Sequence, residues 1–153
     1  EVCDETSKLQ PETAQAQKIV AAAAAIQSAG IPIWHILRPS GLFGSDRFPA
    51  RSMSGKSYDA GGRKVNLVHQ QDVIKAIHAL LNETQSDIFN LSAPSHPSRA
   101  EFYLTACQLM DIMPPVFTDM SGDGKVIQAE KIEQKTNFRY QVRDLMTWLT
   151  QRE

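Results

Sequence analysis

Val65-Asn66-Leu67-Val68-His69-Gln70-Gln71-Asp72-Val73-Ile74-Lys75-Ala76-Ile77 is the stretch that decides the fold. Val65 to Val68 reads as a short strand by its apolar, β-branched content. From Asp72 the period changes. Val73, Ile74, Ile77, Leu80 and Leu81 recur at helical spacing, and Asp72 stands in the first turn, where a carboxylate meets the positive end of the helix dipole. A strand that passes straight into an amphipathic helix is half of a β-α-β unit.

The same alternation extends upstream. Pro11-Glu12 suits a helix start, because proline's missing N–H is not needed there. Alanines carry this helix, with Ile19, Val20 and Ile26 on or near one face that could lie close to a sheet or another helix. Gly30 and Pro32 end it. Ile33 to Leu37 reads as a buried strand closed by Arg38-Pro39, and Ser40 to Lys64 as a long irregular loop. Glu1 to Gln10 is polar and reads as a loop; with no methionine at position 1, it suits a fragment or a processed product.

Downstream, Asp87 to Leu91 is a further strand. Ser98-Arg99-Ala100-Glu101 matches a capping box before Phe102 and Leu109. Met113-Pro114-Pro115 breaks that helix. Residues 116–128 read as irregular chain with a short strand near Val126-Ile127. A short helix is expected over Ala129 to Gln134, a strand at Phe138-Arg139-Tyr140, and a last helix from Val142 to Gln151 through Leu145, Trp148 and Leu149. The order predicts an α/β layer with parallel pairing.

The chain has 153 residues, 42% apolar and 22% charged, enough for a core. Sixteen basic and seventeen acidic side chains give a net charge of −1, which argues against nucleic acid or an anionic membrane as partner. Cys3 and Cys107 read as reduced thiols of a cytoplasmic protein. His35, His69, His78 and His96 show no metal-ligand spacing, so no metal is expected. The alanine-rich run Ile19 to Ile26 is far short of a membrane span.

Several segments, taken together, resemble the second half of an extended short-chain dehydrogenase/reductase, the NAD(P)-dependent epimerase/dehydratase family, in its atypical YeeZ-like branch. They are Asp4-Glu5-Thr6 with Pro11; Leu37-Arg38-Pro39-Ser40-Gly41-Leu42-Phe43-Gly44 with Arg47; Asn66 to Ile77; and Asp87-Ile88-Phe89-Asn90-Leu91-Ser92. The resemblance implies the carboxy-terminal part of a Rossmann-like doubly wound sheet plus a small α/β substrate-covering region. Residues 1–40 and 65–92 would form the sheet, and 41–64 and 93–153 the cover.

The resemblance also marks absences. The family's Gly-rich phosphate turn is not in this chain. Gly61-Gly62 and Gly122-Asp123-Gly124 read as ordinary turns. In the family's Tyr-x-x-x-Lys pair, Lys18 keeps the lysine's place while Ala14 stands at the tyrosine, so no catalytic residue is assigned. Lys18 reads equally as a solvent-facing helix lysine. Pro39, Ser40 and Leu42 match positions that touch the nicotinamide end, and Gly41 replaces the usual asparagine. Arg47 matches the arginine of the family's Gly-Pro-Gly-Arg tail, here Gly44-Ser45-Asp46-Arg47; its fork suits an anionic substrate group, and it reads equally as a surface loop arginine. His69, between strand and helix, reads as a substrate-side acid or base, or as a helix cap. His35 reads as a satisfied core group. The resemblance implies NAD or NADP in the intact protein, with no tight binding to this chain alone. It further implies a nucleotide sugar or small hydroxylated molecule as substrate, and a homodimer. A non-catalytic dinucleotide sensor or interaction module of the same fold is the alternative.

Overall fold

The structure is a computed structural model that describes residues 1–122 and 124–151, so Asp123 of the Gly122–Gly124 turn lies outside the described residues. Four parallel strand pairs organise it. β1 (Val2–Cys3) pairs with β8 (Val126–Ile127), β2 (His35–Pro39) with β6 (Asp87–Leu91), β3 (Gly41–Phe43) with β5 (Leu67–His69), and β4 (Ser57–Tyr58) with β7 (Val116–Phe117). Five helices accompany them: α1 (Ala14–Ser28), α2 (Gln70–Leu80), α3 (Arg99–Leu109), α4 (Lys131–Lys135) and α5 (Leu145–Thr150). The mixed α/β class with parallel pairing is as the alternation predicts.

Local chemistry sets the helix starts. Thr13 caps α1, Ser98 caps α3 and Asp144 caps α5, each side chain accepting an N–H from the first turn. The Asp144 carboxyl is held below its usual range, chiefly by the Thr147 N–H.

Two cores result. Phe43, Phe48, Leu67, Phe102, Leu145 and Leu149 pack between β3, β5, α3 and α5. Val68, Leu80, Phe89, Leu91, Ile132, Phe138 and Tyr140 pack between β5, β6, α2 and α4. β5 serves both, since Leu67 and Val68 point to opposite faces.

The structure corrects several expectations. The Glu1–Gln10 segment is not all loop, because β1 pairs with β8 more than a hundred residues away. The first long strand runs over His35–Pro39 rather than Ile33 to Leu37, and Ile33 stays 45% exposed. Proline fits inside β2 for a physical reason. Trp34 O and Ser40 N bond to β6, so the even-numbered residues face that strand and odd-numbered Pro39 faces away, where no ladder bond is lost. Among the described residues no strand pairs with that outer edge. The next strand begins at Leu67, not Val65. The 40–64 loop contains β3, a 3-10 turn (Pro49–Ser52) and β4.

Phe138-Arg139-Tyr140 is not a strand. It alternates buried, exposed, buried, but among the described residues no strand pairs with it, and the Tyr140 N–H donates to Glu133 Oε1 instead. The last helix is shorter than expected and starts at Leu145. α1 buries none of its residues; Ile19 is 61% and Ile26 42% exposed. His35 is not a satisfied core group, since both ring nitrogens are buried with no hydrogen-bond partner. Cys3 and Cys107 are free thiols.

Candidate functional site

β2 and β6 run in parallel and end together at Pro39 and Leu91, where Ser40 N–H donates to Leu91 O at 2.8 Å. That carboxyl end of the strands opens on a pocket of about 300 Å³ walled by Pro39, Ser40, Arg38, Asn90 and the Cys3–Gln10 segment. The segment is held in place locally. Asp4 accepts the N–H groups of Thr6 and Ser7 at 2.8 and 3.0 Å, and the Thr6 hydroxyl above all keeps its carboxyl below the usual range. Glu5 Oε1 accepts the Asn90 N–H at 2.8 Å, tying the segment to the end of β6.

Gln10 and Lys125 belong to this pocket and also to a larger one of about 850 Å³. The two therefore form one cleft. The larger part carries four cationic side chains, Arg63, Lys64, Arg99 and Lys125, against two carboxylates, Glu1 and Glu12. Among the described residues the ion pairs are Lys131–Asp87 and Arg143–Glu133, and none of the four cations takes part in either.

Glycines bring these charges together. Gly61 and Gly62 donate N–H groups to Asp119 O and Ser121 O. A Cβ on Gly62 would lie 2.4 Å from Met120 O, and one on Gly124 would lie 2.6 Å from Lys64 N. Only glycine lets the two backbones approach this closely, and that approach sets Arg63 and Lys64 beside Lys125. Arg99 is fixed separately. Its Nη1 donates to Asp59 O at 3.2 Å, and its guanidinium lies 5.4 Å from the Tyr58 ring centre and 5.7 Å from that of Phe117.

Of the residues marked by sequence, Pro39 and Ser40 meet at the cleft. Lys18, Leu42, Arg47 and His69 line neither part of it. Lys18 is exposed on α1, Leu42 is 38% exposed on β3, and Arg47 closes an exposed turn with Gly44. His69 is the N-cap of α2: its Nδ1 accepts the Gln71 N–H at 3.2 Å, so the ring proton sits on Nε2. Its ring meets Phe43 edge-on at 5.2 Å, and burial pushes its pKa below 6.5 against the pull of Asp72. Gly41 has a packing reason of its own, since a Cβ there would run 2.7 Å from Leu67 Cδ2.

Sequence reasoning missed Arg63, Lys64, Arg99 and Lys125. The available signal was a basic residue directly after each glycine turn, in Gly62-Arg63-Lys64 and Gly124-Lys125. Among the described residues no group of three His, Cys, Asp or Glu is placed to hold a metal ion, and no helix is long and apolar enough to cross a membrane.

No family model matches the chain. It is similar to the protein YeeZ of Escherichia coli K12, 42% identical over 112 residues, which cover 71% of this chain and 41% of YeeZ. The chain thus spans about two fifths of the curated relatives it matches. Its fold matches that of a functionally unknown conserved protein from Silicibacter pomeroyi, with a TM-score of 0.81, 19% identity, and coverage of 97% of this chain and 58% of the other. It also matches MoeE5 in complex with UDP-glucose and NAD, with a TM-score of 0.73, 16% identity and the same coverage.

Proposed function

From a chain that is homologous to YeeZ and carries the Rossmann-type fold of the extended short-chain dehydrogenase/reductases, we propose part of an NAD(P)-dependent protein of epimerase/dehydratase type that takes a nucleotide sugar or small hydroxylated substrate. The observation that carries this reading is the two-part cleft. Pro39 and Ser40 wall one end, and the cations at Arg63, Lys64, Arg99 and Lys125 wall the other.

The residues present fit one end of a dinucleotide. The smaller pocket of about 300 Å³ is at the lower limit for small ligands, and the chain has no Gly-rich turn to take a pyrophosphate. Pro39, Ser40 and Arg38 would form the wall for the nicotinamide end, in line with ligand placement at strand carboxyl ends. A bound NAD or NADP supplies hydride transfer. This chain's residues hold the substrate: Arg99 by a fixed fork, Arg63, Lys64 and Lys125 as more mobile charges.

A non-catalytic sensor is the second reading, and one observation favours it. Ala14 has no proton to give, and none of Tyr58, Tyr103 and Tyr140 lines the cleft. Tyr140 is committed elsewhere, donating to Ala129 O at 3.2 Å and accepting the Ser92 N–H.

The test is UDP-glucose binding in the presence of NAD by the full-length product of the reading frame that encodes these residues, comparing the parent with the double variant Arg63→Gln/Lys64→Gln. The variant is expected to bind roughly tenfold more weakly and with a shallower salt dependence, since about 1.4 kcal/mol is tenfold. Unchanged affinity and salt slope would remove the cationic wall from the substrate site.

A further inference from the structure

We propose that the cleft between the last turn of α2 and the Asn137–Arg139 segment binds inorganic phosphate or an oxyanion of its size. This cleft, of about 420 Å³, shares no lining residue with the site described above. Lys75, His78, Asn82, Asn137 and Arg139 supply its polar groups, and among the described residues no carboxylate lines it. Every polar side chain in its wall can donate a hydrogen bond, which is the donor set an oxyanion needs.

Two of the donors are held in place. Arg139 Nη1 lies 2.9 Å from Glu133 O, 3.2 Å from Thr136 O and 2.5 Å from Phe138 O. That anchorage occupies one end of the guanidinium and leaves the Nε–H and both Nη2–H groups for a ligand. Lys75 Nζ donates to Gln141 Oε1 at 2.7 Å, which orients the ammonium and leaves two N–H groups over. The nearby Glu133 carboxylate is already taken by Arg143 at 2.6 Å and by the Tyr140 N–H. Among the described residues Lys75 and Arg139 form no ion pair. A positive cleft that is left uncompensated in a chain of net charge −1 favours an anion. The negative end of the α2 dipole opposes it, which sets a weak affinity.

The experiment is a nitrogen-15 NMR titration of the whole chain with inorganic phosphate at constant ionic strength, read at the side-chain amides of Asn82 and Asn137 and at the Arg139 Nε–H. Saturable shifts at these three groups are expected at millimolar phosphate, with sodium chloride giving none. Lys75→Gln and His78→Gln should each weaken binding roughly threefold, as removal of one exposed ionic or polar contact does. Asn82→Asp, which puts a carboxylate in the wall, should abolish it; unfolding midpoints confirm that the variants are folded. Absence of saturable shifts at these groups, equal affinity in all variants, or shifts confined to Arg63 and Arg99 would overturn the proposal. The last result would leave the proposed substrate site standing.

Discussion

Removing the Asp72 carboxylate should cost several kcal/mol, and the amount can be worked from its contacts. Asp72 is fully buried in the first turn of α2, and its two oxygens accept the Gln141 and Val142 N–H groups at 2.7 and 3.0 Å. Those two bonds tie α2 to the segment that leads into α5. A hydrogen bond to a charged group is worth about 1.5–3 kcal/mol, and a buried N–H left unpaired costs about 1–3 kcal/mol. Asp72→Ala strands both donors, so we expect a loss of about 3–5 kcal/mol, a large share of the roughly 5–15 kcal/mol that holds a domain together. Asp72→Asn keeps one carbonyl acceptor but turns an NH₂ toward the other N–H, for about 2 kcal/mol. Gln141→Ala keeps the backbone donor and should cost under about 0.5 kcal/mol. Urea unfolding followed by circular dichroism measures all three. With m of about 1–3 kcal/mol/M, the alanine variant's midpoint should fall by more than about 1 M. A loss under about 1 kcal/mol at unchanged m would refute the reasoning.

Two further expectations follow from single features. Burial holds the His69 imidazole below its usual 6.5, so the fold favours the neutral ring. Stability from this group is complete above 6.5 and falls as pH drops through 6.5 toward the lower folded value. His69→Gln should flatten the melting temperature over that window, and an unchanged slope would contradict the assignment. Separately, the outer edge of β2 has no partner strand among the described residues, and Ile31, Ile33, Ile77 and Leu81 are 45–75% exposed. Such surfaces pair, and we expect the isolated chain to self-associate as a homodimer or larger. A strictly monomeric mass by light scattering at all concentrations would contradict it.

What could be read from sequence was local. The periodicity of α2 and the Ser98 cap of α3 depend on residues a few positions apart, and both form as expected, with Ser98 Oγ accepting the Glu101 N–H at 3.1 Å. β1, β3, β4, β7 and β8 are two or three residues long, and each exists because of a partner distant in sequence. Only β8, at Val126-Ile127, announces itself in the sequence; the other four runs do not. At Phe138–Tyr140 the alternation correctly marks which residues are buried. It cannot tell that carboxylates, rather than a neighbouring strand, take the N–H groups of Tyr140, Gln141 and Val142. The site divides in the same way. Pro39 and Ser40 were marked by the family resemblance of residues 37–44, whereas Arg63 and Lys64 meet Lys125 only when two glycine turns pack together, and Arg99 joins them from α3.

The most direct test of the central claim is calorimetric titration of NAD and NADP into two proteins: the full-length product of the reading frame that encodes these residues, and the isolated 153-residue chain. The account predicts micromolar binding of one dinucleotide by the full-length product, and weak or no binding by the isolated chain, which has one wall of the site and no phosphate turn. No binding by the full-length product, or micromolar binding by the isolated chain, would contradict it.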